Sequence, residues 1–225
     1  MSYTAPVIVS NWNIASDTLG VVFSSGILGM AIGALLLASY ADKIGRKKII
    51  LISIIIISIG VILTGVSQNL YHLIIFRFFS GVGIGAMLAT TVSLVSECSP
   101  NRSKDFWVSF VLAGYPIGAI LAGYLSNIIL ANYSWEWVFF IFGTASLVFI
   151  PIVYLFISES GDFLNTSQNK TQNKPVLSLF SEAYLNKTIK LWMAFFFSFA
   201  CLYFLISWIP KLVTESGLSL KLGIY

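Results

Sequence analysis

Asp42-Lys43-Ile44-Gly45-Arg46-Lys47-Lys48 separates two long apolar runs and decides how the chain is threaded. Four of these seven residues are Lys or Arg, which holds the turn on one side of a membrane. Outward from it, apolar residues dominate. They make up 57% of the chain and charged residues only 10%, with a mean hydropathy of +0.89. A soluble domain carries about a quarter charged residues, so this composition excludes that class. Runs of about 20 apolar residues match a bilayer core of roughly 30 Å. The sequence predicts an all-α polytopic membrane protein with six transmembrane helices, over 17–40, 48–66, 70–96, 106–131, 135–157 and 189–210. The Ile-rich run from Ile49 to Ile59 has β-propensity, but in lipid a backbone that satisfies its own hydrogen bonds makes helix the outcome.

Lys and Arg are unequally shared between the loops. Those after the first, third and fifth spans hold ten, among them Arg102, Lys104, Lys170 and Lys187. The other side holds Lys211 and Lys221, and Arg77 lies within a span. The positive-inside rule puts the ten in the cytoplasm and the N-terminus outside, in a multi-pass protein of the plasma (inner) membrane. The net charge of +4 therefore reports orientation, with the lipid bilayer as surroundings and no nucleic acid as partner. Residues 158–187 form one long polar connection, with too little apolar content to build a core. The expected organisation is a five-helix bundle over 1–157, a cytoplasmic linker over 158–187 and the first helix of a second bundle over 188–225.

Several residues stand out chemically. Gly45 permits a tight turn, and Asp42 can pair with a neighbouring Arg and with helix-end dipoles. The run is then either a topology anchor or a salt-bridged lock that opens in another conformation. Arg77 lies about 10 Å inside its helix at 1.5 Å per residue. An intramembrane Arg is costly and marks function, unless it snorkels to the outer interface. Arg77, Gly81 and Gly85 share one face, and the glycines admit a close neighbour. Gly114 and Gly118 form a second small-residue stripe, with Pro116 between them as an expected kink. Glu97 either pairs with Arg46 or is a solvated helix-end carboxylate. Tyr203 and Ser207, four residues apart, are candidate binding residues or ordinary packing. Cys98, Cys201 and His72 carry no motif spacing. No metal-ligand cluster, nucleophile–base pair or phosphate loop is legible, so no enzyme and no cofactor are expected.

The order Ala38-Ser-Tyr-Ala-Asp42-Lys43-Ile-Gly45-Arg46-Lys47 resembles the cytoplasmic signature between the second and third helices of the major facilitator superfamily. Ala38 stands where the family usually has Gly. Arg77-x-x-x-Gly81 is similar to the fourth-helix signature. Phe79-x-Gly81…Gly85…Leu94-x-x-Glu97…Lys104 has the spacing of the sugar-transporter signature. Ser158-Glu159-Ser160 resembles the Pro-Glu-Ser that follows helix six, with Ser158 replacing Pro. Tyr203-Phe-Leu-Ile-Ser207-Trp208-Ile-Pro210 resembles helix seven of the aromatic acid:proton symporter family.

The resemblance implies a partial superfamily bundle covering helices two to seven. It also implies secondary active, proton-coupled uptake of small organic acids, aromatic acids above all, by alternating access. A sugar or other metabolite:proton symporter is the alternative within transport. Asp42, Lys43, Gly45, Arg46, Lys47 and Glu97 would form a cytoplasmic gate, and Arg77, Tyr203 and Ser207 the substrate or proton pathway. The substrate would be a small organic anion, with the proton gradient as the coupling ion. None of the nine acidic residues sits deep in an apolar run, so no proton-carrying carboxylate is assigned. Helices one and eight to twelve are expected to lie outside this chain, for instance on another chain. On that expectation the 225-residue product does not transport alone. The rival of another class is a non-transporting membrane fragment or interaction subunit.

Overall fold

The computed structural model describes residues 3–12, 18–160 and 181–215. The chain divides into two compact units, Tyr3–Asn165 and Thr166–Tyr225. The described residues are helical apart from short turns, and six helices are long and apolar enough to cross a membrane. The chain is a multi-pass integral membrane protein.

In the first unit, α1 is Ala5–Trp12 and α2 runs from Thr18 to Ile44. Then come α3 (Arg46–Gly65), α4 (Leu70–Cys98), α5 (Lys104–Asn132) and α6 (Trp135–Phe156). The second unit contributes α7, Glu182–Glu215. α7 begins inside the stretch expected to be linker, because its span of Leu185–Leu205 is extended by a polar first turn. Residues 161–180, most of that expected linker, lie outside the described residues.

The basic run is also more helical than a loop. α2 continues through a π-helical turn, Gly33–Leu37, and a 3₁₀ turn, Ala38–Tyr40, into Ala41–Ile44. Only Gly45 leaves the helical region, at φ 103° and ψ 146°. One residue therefore separates α2 from α3.

α4 is the centre of the unit, packed between α2 and α3. Glycine permits both contacts. A Cβ on Gly81 would overlap the carbonyl of Gly26, and one on Gly85 that of Met30, so α2 and α4 touch backbone to backbone. On the facing side of that contact, Gly29 and Gly33 meet Phe78 and Val82 in the same way. Gly60 and Gly83 serve the α3–α4 contact against Ser80 and Ser53. Lipid offers no hydrophobic drive between helices, so close van der Waals approach supplies the association. Between α3 and α6, Ser58 and Ser146 share a 2.6 Å hydroxyl–hydroxyl hydrogen bond. α4 starts at Asn69, whose side chain accepts from the backbone N–H of His72 at 2.9 Å, an N-cap that explains the local sequence.

α1 was not among the expected elements. At eight residues it is too short to hold itself together in isolation. Its Ile8 is buried with Val22, Leu73, Trp135 and Phe139, and Trp12 meets Trp135 edge-on at 5.7 Å. α5 is the opposite case, burying only Gly123 and Ser126. It remains unbroken through Pro116. Gly114 and Gly118 have no atom within 4 Å of where a Cβ would stand, so the packing expected of that stripe is not found in this unit. Gly123, further along, is the position that is occupied, by the ring of Tyr3.

Candidate functional site

Two polar constellations stand out, one at the α2–α3 junction and one inside the bundle.

At the junction, α3 begins at Arg46 with no capping side chain on Gly45. Its first N–H groups need acceptors. Glu159, just past α6, supplies them. Its Oε1 accepts from the backbone N–H of Arg46 at 2.7 Å and of Lys47 at 3.3 Å. It also accepts from the N–H of Ser160 at 3.2 Å. A carboxylate at a helix N-terminus gains from the macrodipole as well as from these bonds. Gly45 makes room for it, since a Cβ there would collide with the Glu159 carboxylate.

Arg46 turns its side chain the other way. Its Nη2 lies 2.8 Å from Glu97 Oε1 and 2.7 Å from Asp42 Oδ1. Nε donates to Glu97 at 3.2 Å and Nη1 to the carbonyl of Ala41 at 3.1 Å. The two carboxylates differ in weight. The Asp42 side chain is 61% exposed and that of Glu97 18%, so Glu97 is the less screened partner. Glu97 further accepts from Ser93 at 3.2 Å and from Ser160, which is fully buried. Lys47 donates to the carbonyl of Tyr154 at 2.7 Å, near the C-terminus of α6, and lies 5.0 Å from that ring. Lys43 remains at the surface, 5.2 Å over the ring of Tyr40. The network thus ties together the ends of α2, α3, α4 and α6. Of the residues expected here, Asp42, Gly45, Arg46, Lys47 and Glu97 are brought together, and Lys43 is peripheral.

Glu159 and Ser160 were seen in the sequence only as part of a motif, without a partner. A signal was present: Gly45 cannot cap α3, so an acceptor from elsewhere was required.

Inside the bundle, Arg77 is half-buried. Its Nε is shielded and has no hydrogen-bond partner among the described residues. The guanidinium lies beside Gly26, whose added Cβ would stand 3.6 Å from Nη2. A shielded guanidinium atom without an acceptor is costly.

A cleft of about 290 Å³ opens between α3, α4 and α5, with Ile57, Ile84, Leu88, Thr91 and Tyr115 in its walls. Gly114 lies in the α5 wall, and its missing side chain leaves part of this space open. The other expected pathway residues lie on α7, in the second unit. Tyr203 stacks on Phe199 at 6.2 Å, and the side chain of Ser207 lies outside the described residues. Among the described residues no group of His, Cys, Asp and Glu is arranged to hold a metal ion.

Comparison with known proteins agrees with this architecture. The chain is 28% identical to a gallate transporter of Pseudomonas putida over 98% of its length, covering 56% of that protein. It is 30% identical to a benzoate transport protein of Acinetobacter baylyi over 96% of its length, covering 54% of that protein. A 3-(3-hydroxy-phenyl)propionate transporter of Escherichia coli is 34% identical over 88% of this chain and 48% of its own. The chain spans about half the length of these curated relatives. Among solved structures, a D-xylose-proton symporter superposes with a TM-score of 0.69 at 19% identity, over 99% of this chain and 58% of that one. A double Trp mutant of XylE reaches 0.75 at 16% identity, over 99% and 60%. These structures support the fold alone. The family model described as Major Facilitator Superfamily matches residues 1–225, and the chain belongs to that superfamily.

Proposed function

We propose that the chain works as, or within, a secondary transporter that takes up small organic acids, aromatic acids in particular, driven by the proton gradient. The observation that carries this reading is Arg77, a cation inside a membrane helix whose Nε is shielded and without a hydrogen-bond partner among the described residues. Such a group gives a carboxylate a charge-assisted partner that water supplies poorly at that depth. The transporter names of the relatives, for gallate, benzoate and a hydroxyphenylpropionate, support an aromatic carboxylate as the cargo and a transporter rather than an enzyme.

In this reading Asp42, Arg46 and Glu97, with Glu159, are the gate. They hold the basic ends of α2, α3, α4 and α6 together in one conformation and separate in the other. The basic end faces the cytoplasm, across the inner membrane. Tyr203 and Ser207 belong to the same substrate path, on the helix that opens a second bundle. Alternating access then rocks the two bundles about a site at mid-depth.

Counterflow tests it. Membrane vesicles from cells expressing the gene in its natural genomic setting are loaded with unlabelled 4-hydroxybenzoate and given labelled 4-hydroxybenzoate, benzoate or D-xylose. Exchange of the two aromatic acids, accelerated by an inward proton gradient and lost in Arg77→Met, is expected. Exchange of xylose with neither acid would refute the reading.

A further inference from the structure

α2 is held at two places, with an irregular stretch between them. Its outer part lies backbone to backbone on α4, through Gly29 and Gly33 against Phe78 and Val82, and through the carbonyls of Gly26 and Met30 against Gly81 and Gly85. Its inner end is tied to α3, where Arg46 bonds both Asp42 and the carbonyl of Ala41. From Ala34 to Tyr40 no residue is buried, and Leu35 and Leu36 are 70% and 63% exposed.

In that same stretch the hydrogen-bond ladder changes step. The backbone N–H of Ala38 reaches back five residues to the carbonyl of Gly33, and that of Ala41 three residues to Ala38. The ordinary four-residue step returns where Gly45 donates to Ala41. The Ser39 hydroxyl donates to the carbonyl of Leu35, a back-bond of the kind that bends helices. π turns and 3₁₀ turns in mid-helix are where helices kink. A wide turn followed by a tight one also offsets most of its rotation, so Ala41 and Asp42 still face Arg46. Gly33, the last residue of α2 in backbone contact with α4, stands at the start of the stretch, as a pivot would.

We propose that Gly33–Tyr40 is a hinge, and that α2 leaves the junction by bending there while its outer part stays on α4. The inference rests on the gate reading of the junction and adds which part of α2 moves. From Gly33 to Ile44 is about 16 Å at 1.5 Å per residue. A kink of about 20° carries that inner end about 5–6 Å. The Arg46–Asp42 pair is 2.7 Å long, so this swing parts it together with the Ala41 bond. No glycine contact with α4 is broken, and Leu35 and Leu36 give up little packing because they are already exposed. A rigid α2 would instead have to lift Gly29 and Gly33 off the backbone of α4 and lose the close approach that holds the bundle.

The test is hydrogen–deuterium exchange of the full chain in detergent micelles, read by mass spectrometry on peptides from α2 and α4. Each peptide is compared with itself between the unmodified protein and a variant, so that depth in the micelle cancels. Arg46→Ala removes both bonds that hold the inner end. It is expected to speed exchange over 34–44 about tenfold and to leave 22–33 and α4 within about twofold. Asp42→Asn removes only the solvated ion pair and is expected to speed 34–44 about two- to threefold, again without 22–33. If 22–33 accelerates by the same factor as 34–44 while α4 does not, α2 moves as one rod and the hinge is overturned. If neither stretch responds to either variant, the network does not hold the inner end, and the gate reading falls with the hinge. If Arg46→Ala loosens α4 as well, the Asp42→Asn ratio decides between hinge and rod. No cargo enters the measurement, so the aromatic-acid reading fails or stands separately, in the counterflow assay.

Discussion

Gly45→Ala tests whether one residue both turns the chain and seats the carboxylate that closes the junction. Two costs are expected. At φ 103° and ψ 146° the backbone lies in a region that is essentially glycine's own, and a side chain there costs on the order of 1–3 kcal/mol. The new Cβ also lands on the Glu159 carboxylate, so Glu159 must withdraw from the N–H groups of Arg46 and Lys47. Hydrogen bonds to a charged group contribute about 1.5–3 kcal/mol each when sheltered. Glu159 is half-buried, so roughly 1 kcal/mol for each of the two is the better figure. Together the expected loss is about 3–5 kcal/mol, large against the stability of most folds.

The assay is thermal unfolding in detergent, followed by tryptophan fluorescence, for Gly45→Ala, Glu159→Ala and the double variant. The backbone strain persists whatever stands at 159, but the collision does not. The two substitutions should therefore be less than additive, with a coupling of about 1–2 kcal/mol. Strict additivity would refute the reasoning, because it would mean that Glu159 does not occupy the space over Gly45.

Four further outcomes follow from the same geometry. Gly85→Leu should separate α2 from α4 and cost about 2–4 kcal/mol in the same melt, whereas Gly114→Ala and Gly118→Ala, with nothing within 4 Å, should stay within about 0.5 kcal/mol. Arg46→Ala should destabilise by about 2–3 kcal/mol, because Glu97 is left sheltered without its cation, and Asp42→Asn by about 0–1 kcal/mol, because that carboxylate is mostly solvated. Raising salt from low to molar ionic strength should erase the Asp42→Asn effect and leave most of the Arg46→Ala effect, as read by melting in each buffer. Arg77→Met should leave the melting point unchanged or raise it while abolishing aromatic-acid binding. A fall in stability would show that Arg77 has a structural partner.

How much of this was legible in the sequence depends on the range over which each signal acts. The six membrane helices follow from apolar run length, a property of single segments, and their bounds fall close to those expected. The pairing of Arg46 with Glu97 was reachable because both ends of it lie in motifs. α1 was not reachable, since eight residues hold no periodicity long enough to argue from. Only the docking of Ile8 and Trp12 on residues from three other helices makes it a helix. The glycines show the limit most clearly. Gly81 and Gly85, and Gly114 and Gly118, have the same four-residue spacing and the same apolar setting. One pair touches the backbone of α2 and the other faces open space beside a cleft. Spacing tells which side of a helix is smooth; what approaches that side is settled by the other helices. In α4 the smooth side receives a helix, which rigidifies the bundle. In α5 it faces open space within this unit, because no other helix of the unit approaches it there.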